Sequence, residues 1–328
     1  MSGCIIDSAF RPHPWMRGAH VQTIAPALLR PLPALDWQRE RIETPDGDFV
    51  DLGWHGDPQA LRVAVLIHGL TGGFESKYLR GTARLLASRG WRCVALQLRG
   101  GGEEPNRTPK LYNHGHTEDL RHLWQLLRQR HPQARVATVG WSLGANVLLR
   151  ALAEEREAAP LQAAIAACAP FELELCAQRL RTGFARVYQK KLLDGLKDMV
   201  RRRHGPLPVP ARVDIAATLR ARDFFEFDDA YMAPLAGYRD ARDYYACCST
   251  TQFLGAIRVP TRIVNAVDDP FMTPAILPRA GALSPAVTLE LAACGGHVGF
   301  MTRDVRGAVR FWLEHHIADQ LDVAVPAR

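Results

Sequence analysis

One stretch, residues 136–146 (VATVGWSLGAN), constrains the fold more than any other part of the chain. It begins as a short apolar run rich in β-branched residues, which predicts a buried strand. The run leads into the pattern Gly-x-Ser-x-Gly, centred on Ser142, and the apolar residues that follow have helical spacing. A strand, a sharp turn and a helix in this order would place the serine hydroxyl on a strained, exposed turn. Gly140 and Gly144 are expected here because a side chain at either position would collide with neighbouring backbone.

Length and composition permit a large core and exclude some classes of protein. With 328 residues, 47% of them hydrophobic, the chain suits one enlarged α/β domain or two smaller ones. A surplus of basic residues, 41 against 34 acidic, gives a net charge of +7 and permits weak attraction to anionic surfaces. No zinc-finger spacing or aromatic-rich RNA motif occurs, so we expect no nucleic-acid partner. The 7 cysteines are scattered and mostly within apolar runs, which predicts reduced thiols rather than a disulfide framework.

Targeting signals are not found in the sequence. The first fifteen residues lack the basic and apolar regions of a signal peptide. No apolar run approaches the roughly 20 residues that a membrane-spanning helix needs. We therefore expect a cytoplasmic, soluble protein without stable membrane insertion, and the sequence leaves its oligomeric state open.

Predicted strands and helices alternate over most of the chain. The predicted strands are residues 37–43, 49–54, 63–67, 91–98, 136–140, 163–168, 261–267 and 287–291. The predicted helices are 76–89, 116–129, the run after Ser142 and a closing helix over 305–315, followed by a tail from Asp322. Such alternation is typical of an α/β fold with a mostly parallel central sheet and helices on both faces.

Two segments depart from this alternation. Residues 1–36 contain several prolines, and we expect an N-terminal arm packed on the core with at most a helical turn near residues 25–30. Residues 171–255 are predicted to form a helical cap or lid inserted over the mouth of the sheet. The core is thereby divided into a first part, 37–170, and a second part, 256–328.

The predicted cap contains a strongly basic helical run over residues 179–203, followed by a proline-rich break. A basic helix of this kind is usually a solvated face, and that is the interpretation we favour. Contact with lipid headgroups or with an anionic substrate is the alternative.

Three polar residues stand just after three predicted strands: Ser142, an aspartate at 268 or 269, and His297. In open α/β sheets the ligand crevice lies outside these strand ends. A serine hydroxyl is a poor nucleophile, so His297 would take its proton while a carboxylate stabilises the resulting imidazolium. We assign Asp269 as the acid because it directly precedes Pro270, and Asp268 is the alternative acid. Each residue alone has an ordinary explanation as part of a turn or loop, but the three together favour catalysis.

A glycine-rich loop, His68-Gly-Leu-Thr-Gly-Gly, follows the predicted strand 63–67. It lacks the Gly-Lys-Ser/Thr of a phosphate-binding loop and better suits an oxyanion hole. We assign the two oxyanion donors to the backbone N–H groups of Leu70 and Leu143. His68 is expected to hold the loop by hydrogen bonds rather than to transfer protons. The histidines of the N-terminal arm have no cysteine or carboxylate at ligand spacing, and the assigned chemistry needs no metal or cofactor.

Six motifs spread over nearly the whole chain resemble those of the YheT-like hydrolases, bacterial relatives of the mammalian ABHD lipases in AB hydrolase family 4. They are Phe10-Arg-Pro, Gly18-Ala-His-Val-Gln-Thr, His68-Gly-Leu-Thr-Gly-Gly, Gly140-Trp-Ser-Leu-Gly-Ala-Asn, Phe227-Asp-Asp and Asn265-Ala-Val-Asp-Asp-Pro-Phe. The resemblance implies an α/β-hydrolase fold with a helical cap, and a triad of Ser142, Asp269 (or Asp268) and His297. It also implies hydrolysis of short acyl esters or acylglycerols. The sequence shows no counterpart of the membrane anchor typical of the mammalian relatives.

These observations predict a serine carboxylesterase that forms an acyl-enzyme with a small-molecule ester or acylglycerol substrate. We expect Trp141, Phe271 and Phe300 to line an acyl pocket under the cap. Two other classes remain as alternatives: an acyltransferase on the same fold, and a non-catalytic ligand-binding or regulatory protein. The intact set of serine, aspartate and histidine argues against the non-catalytic alternative.

Overall fold

A nine-stranded sheet organises residues 3–327, the part of the chain that the computed structural model describes. The sheet strands are β1 (Cys4–Asp7), β2 (Gln38–Glu43), β3 (Phe49–His55), β4 (Arg62–Ile67), β5 (Arg92–Gln97), β6 (Arg135–Trp141), β7 (Ala163–Ala167), β8 (Thr261–Ala266) and β9 (Val287–Ala292). A separate two-stranded hairpin consists of β10 (Met301–Arg303) and β11 (Val309–Phe311).

Eleven α-helices occur within the described residues. They are α1 (Ala19–Leu29), α2 (Lys77–Ser88), α3 (Glu118–Arg130), α4 (Leu143–Glu155), α5 (Leu173–Leu180), α6 (Ala185–Arg203), α7 (Ile215–Arg220), α8 (Phe224–Phe227), α9 (Ala233–Ala236), α10 (Ala241–Cys248) and α11 (Trp312–Ala324). A π-helical turn, Asp228–Met232, connects α8 to α9.

The sheet is mostly parallel, as the alternation of elements predicted. Its strand order is β1-β9-β8-β7-β6-β4-β5-β3-β2, and only β2 with β3 and β3 with β5 pair antiparallel. Helices α3 and α4 contribute to the core on one face of the sheet, and α2 and α11 to the core on the other. Strands β4 and β7 are buried along their whole length, as continuous apolar strands in a covered parallel sheet should be.

Helices α5 to α10 lie in the long connection between β7 and β8. The basic run predicted as one helix over residues 179–203 is divided at Gly183, which has a φ of +53°. Most cations of α6 are exposed, and Lys190 pairs with Asp194 at 2.6 Å on the same helix. No helix within residues 3–327 is both long enough and apolar enough to cross a bilayer.

The N-terminal arm contains a full helix, α1, where we predicted at most one helical turn. Pro26 suggested a break because it has no N–H to donate to the carbonyl of Gln22, one turn earlier. Gly299 packs directly against that free carbonyl, so closely that a Cβ on Gly299 would overlap it. The Gln22 side chain is itself buried and exchanges hydrogen bonds with the backbone of Met301, at 2.6 and 3.0 Å. Tertiary contacts therefore stabilise a helix that the local sequence disfavours.

The closing helix begins later than predicted. The apolar spacing of residues 305–315 favoured one helix, but this segment contains the turn between β10 and β11 and then the first residues of α11. Asp304 accepts hydrogen bonds from the turn amides, including that of Ala308 at 2.9 Å, and Gly307 has a φ of +86°. An aspartate and a left-handed glycine stabilise a turn here, and a continuous helix would exclude that conformation.

Both ends of the described chain belong to regular secondary structure, which the sequence did not indicate. Strand β1 pairs in parallel with β9 at the edge of the sheet, and its four exposed residues show no alternation. Asp322, predicted to begin a tail, lies inside α11. Its carboxylate accepts hydrogen bonds from Arg62 at 2.8 Å and from Trp91 at 2.9 Å.

Candidate active site

Ser142 lies on the sharp turn between β6 and α4. Its backbone has a φ of +53° and a ψ of −117°, a combination that strains any residue with a Cβ. A Cβ on Gly140 would overlap the carbonyl group of Gly144, and a Cβ on Gly144 would lie 2.6 Å from the carbonyl oxygen of His68. Both glycines are therefore needed for the close packing of strand and helix, as the sequence predicted.

The structure brings Ser142, His297 and Asp269 together in one hydrogen-bonded row. His297 Nε2 lies 3.0 Å from Ser142 Oγ, and His297 Nδ1 lies 2.7 Å from Asp269 Oδ2. Asp269 is buried, and the ring of Phe271 stacks on the imidazole with centroids 4.0 Å apart. The carboxylate fixes the histidine tautomer with Nδ1 protonated, which leaves Nε2 free to accept the serine proton.

Only one of the two candidate acids faces the histidine. The second carboxylate oxygen of Asp269 accepts a hydrogen bond from the Phe271 amide at 2.9 Å. Asp268 instead accepts a hydrogen bond from the Gly296 amide, at 3.0 Å, within the loop that carries the histidine. Burial raises the pKa of Asp268. Asp268 therefore supports the histidine loop, while Asp269 contacts the imidazole.

Leu70 and Leu143, the two predicted oxyanion donors, lie on the loop after β4 and at the start of α4. Leu143 is the first residue of its helix, so its N–H has no intrahelical acceptor. The amides on either side of Leu70 are both hydrogen-bonded within the protein. Gly69 N–H donates to the Tyr78 hydroxyl and Thr71 N–H donates to the Tyr112 hydroxyl, each at 2.9 Å. Within residues 3–327 the Leu70 N–H has no acceptor. Neither tyrosine could be recognised from the sequence as a partner of this loop.

His68 holds this loop by hydrogen bonds, as predicted. Its Nδ1–H donates to the Gly69 carbonyl at 2.8 Å, and its Nε2 accepts from the Leu98 amide at 3.1 Å. These partners require the neutral imidazole, because a protonated Nε2 could not accept the Leu98 N–H. Complete burial lowers the pKa of His68 to about 4.

We expect acid to destabilise the protein through His68. Because the pKa of its folded form is below that of the unfolded chain, the unfolded state binds more protons between about pH 6.5 and pH 4. Stability should thus fall as the pH falls through this window, by about 3 kcal/mol from this residue. Urea unfolding of wild type and His68→Gln at neutral pH and at pH 4 measures the effect. Equal losses in both proteins would contradict it.

Helix α1 of the arm supports the loop that carries His297 (residues 293–300, the His297 loop). The His297 amide donates to Thr23 Oγ1 at 2.9 Å. A Cβ on Gly296, which has a φ of +61°, would lie 2.6 Å from the Ala19 carbonyl oxygen. Sequence reasoning missed Thr23, and its place in the motif Gly18-Ala-His-Val-Gln-Thr was the only available signal. The arm thus helps to position the histidine.

One group of side chains near the serine has the donor types of a metal site. The ligand atoms of Cys168, Asp269 and His297 lie within 4.8 Å of one another. However, Asp269 and His297 share a hydrogen bond, and Cys168 Sγ accepts one from the Val298 amide at 3.3 Å. Burial raises the pKa of the Cys168 thiol well above its ordinary value. These contacts suit a group that orients the His297 loop better than one that binds a metal.

A cavity of about 700 Å³ opens beside the serine and the histidine. Its lining is mostly apolar and comes from the arm, the loop after β4 and the segment between β7 and β8. Trp141 and Phe271 line it as expected, but Phe300 does not. Phe300 is fully buried against the rings of Phe10 and Trp312, so that expectation was wrong. Several ionisable side chains also line the cavity, among them His114 and Asp228.

Comparison with known proteins agrees with this architecture. The family described as "alpha/beta hydrolase fold" matches residues 63–304. YheT of Escherichia coli (strain K12), whose name assigns it esterase activity provisionally, is 38% identical over 325 residues, covering 98% of this chain and 95% of that protein. Medium-chain fatty acid ethyl ester synthase/esterase 2 of Saccharomyces cerevisiae is 30% identical over 266 residues, covering 74% and 59% of the two chains. The Pyrococcus furiosus esterase Pf2001 matches in fold with a TM-score of 0.57 at 16% identity, covering 98% of both chains. The chain therefore belongs to the α/β-hydrolase family, among the YheT-like hydrolases.

Proposed function

We propose that this protein is a serine esterase that cleaves carboxylic esters through an acyl-enzyme on Ser142. The observation that carries the proposal is the hydrogen-bonded row of Ser142, His297 and Asp269 at the wall of an apolar cavity. These residues follow the carboxyl ends of β6, β9 and β8, where ligands bind in open α/β sheets. The turn that carries Ser142 then acts as a nucleophile elbow.

In the first half of the reaction, Ser142 Oγ attacks the ester carbonyl carbon while His297 Nε2 takes the hydroxyl proton. The imidazolium that forms is stabilised by Asp269, and the oxyanion by the N–H groups of Leu70 and Leu143. Collapse of the tetrahedral intermediate breaks the bond to the alcohol, which leaves with the proton from His297. Water, activated by the same imidazole, then attacks the acyl-serine and releases the acid.

The cavity supports a substrate with a hydrocarbon part. Its volume of about 700 Å³ falls within the usual range of small-molecule sites, and its wall is mostly apolar. Residues 171–255 supply part of that wall, and we propose that this segment serves as the cap, with residues 1–36 as the arm and 37–170 and 256–328 as the hydrolase core. Short-chain acyl esters and acylglycerols are the substrate classes that we propose.

Acyl transfer to an alcohol is the second candidate function. The yeast relative described above is named both a synthase and an esterase of fatty acid ethyl esters. In the acyl-enzyme mechanism an alcohol can replace water in the second half of the reaction without any change in the catalytic residues. The two functions differ only in which acceptor reaches the acyl-serine first.

Hydrolysis of a series of p-nitrophenyl esters, from acetate to palmitate, tests the proposal. We expect turnover that depends on chain length, because the cavity must accommodate the acyl group. Added ethanol distinguishes the two functions, since an acyltransferase would form the ethyl ester in preference to the free acid. Absence of turnover on every ester of the series would contradict the proposed function.

A further inference from the structure

The cavity contains a carboxyl group that the proposed chemistry does not use. Asp228 begins the π-helical turn after α8 and is only 7% exposed, yet it lines the same cavity as Ser142. Single π-helical turns are rare and often occur at functional sites. The cavity wall also includes the apolar side chains of Leu173, Phe224 and Met272. A buried carboxyl group in a mostly apolar wall needs an explanation.

The hydrogen bonding of Asp228 within the protein is incomplete. Its Oδ2 accepts a hydrogen bond from the Tyr245 hydroxyl at 2.6 Å. Within residues 3–327, its Oδ1 has no hydrogen-bond partner and no lysine or arginine forms an ion pair with the carboxylate. Burial, together with the charges of Asp229 and Asp223, raises the pKa of Asp228 to about 7. Whether the group is ionised or protonated, one of its oxygens remains without a protein partner within the described residues.

A substrate that fills the cavity with hydrocarbon alone would displace water from this oxygen and would leave the oxygen without a hydrogen bond. An unsatisfied polar group at a buried site is costly, so an apolar ligand would be bound less well than its area suggests. A hydroxyl group avoids the cost, because it donates to a carboxylate and accepts from a carboxylic acid. A cation would instead need the ionised form and would lose its own hydration.

We propose that Asp228 is a specificity-determining residue that binds a hydroxyl group on the hydrocarbon part of the ester. The inference rests on the proposed esterase function and names its substrate class as hydroxylated esters. Tyr245 orients the carboxyl group by occupying Oδ2 and leaving Oδ1 for the ligand. Sites that hydrogen-bond a substrate hydroxyl discriminate strongly against the analogue that lacks it.

Paired substrates test the proposal. One series compares methyl octanoate with methyl hydroxyoctanoates that carry the hydroxyl at successive chain positions. A second compares octyl acetate with hydroxyoctyl acetates, so that the two series distinguish an acyl-side from an alcohol-side hydroxyl. The quantity measured is the ratio of kcat/KM for each hydroxylated ester to that of its plain partner, which does not depend on the fraction of active protein.

We expect at least one hydroxylated ester to be preferred by wild type roughly 10- to 100-fold, the factor that corresponds to one satisfied buried hydrogen bond. Asp228→Leu should abolish or invert the preference, whereas Asp228→Asn, which keeps hydrogen-bonding groups, should retain much of it. Asp214→Asn is the matched control, because Asp214 is exposed, does not line the cavity and accepts a hydrogen bond from the Ala217 amide at 2.8 Å that asparagine can also accept. Its ratio should equal that of wild type.

Ratios in both series that are the same for wild type and Asp228→Leu would overturn the inference while leaving the esterase function intact. If no ester is turned over, the proposed function fails separately. Calorimetric binding of the same ester pairs to Ser142→Ala then decides the inference. Tighter binding of a hydroxylated ester that is lost in the Ser142→Ala, Asp228→Leu double variant would support it, and equal affinities would overturn it.

Discussion

Replacing Ser142 with alanine is expected to lower kcat for p-nitrophenyl butyrate by roughly 10⁵- to 10⁶-fold. In the proposed mechanism the hydroxyl is the group that becomes acylated, and its oxygen lies 3.0 Å from His297 Nε2, which takes the proton. Alanine retains the Cβ and therefore the backbone strain of the turn, so the fold should change little. Steady-state hydrolysis of the purified variant measures the loss.

Ser88→Ala is the matched control for this substitution. Ser88 ends α2 on the surface, and within residues 3–327 the only hydrogen bond of its hydroxyl is donated to the Leu85 carbonyl, at 2.7 Å. We expect its kcat to equal that of wild type. A Ser142→Ala protein that is folded by circular dichroism and retains more than about a hundredth of wild-type activity would refute nucleophilic catalysis by this serine.

The second large effect separates the two neighbouring aspartates. Asp269→Asn is expected to lower kcat about 10⁴-fold, because the amide would favour the wrong tautomer of His297 and could not stabilise the imidazolium. Asp268→Asn should cost less than about tenfold, since its side-chain oxygen can still accept the Gly296 hydrogen bond. The two variants differ by one position and remove the same charge. Comparison of kcat under identical conditions measures the difference, and the reverse ranking would show that Asp268 is the acid.

The sequence predicted the centre of the site well because its residues follow strands that can be recognised locally. The run before Ser142 and the apolar runs of β8 and β9 identify buried strands, and parallel strands end on the same edge of a sheet. Both Asp268 and Asp269 follow β8 directly, and only side-chain direction distinguishes them. The structure shows which of the two side chains faces His297, and the positions of the two residues in the sequence do not reveal this.

The supporting contacts could not be predicted because they join parts of the chain that are distant in sequence. Thr23 contacts His297 across 274 positions, and Tyr112 contacts Thr71 across 41. Helix α1 was not predicted because Pro26 locally disfavours a helix. Packing against the His297 loop nevertheless stabilises the helix. The sequence showed Asp228 only as part of a motif. Its place in the cavity could not be predicted, because that place depends on how α8 and the π-helical turn pack over the sheet.

Mass spectrometry of the protein during rapid mixing with p-nitrophenyl butyrate tests whether Ser142 carries the acyl group during turnover. We expect a burst of nitrophenol of about one equivalent per chain, accompanied by a mass increase of one butyryl group on the peptide that contains Ser142. The adduct should disappear as hydrolysis completes and should be absent from Ser142→Ala. Turnover without an adduct on Ser142, or an adduct on another residue that accounts for turnover, would contradict the account.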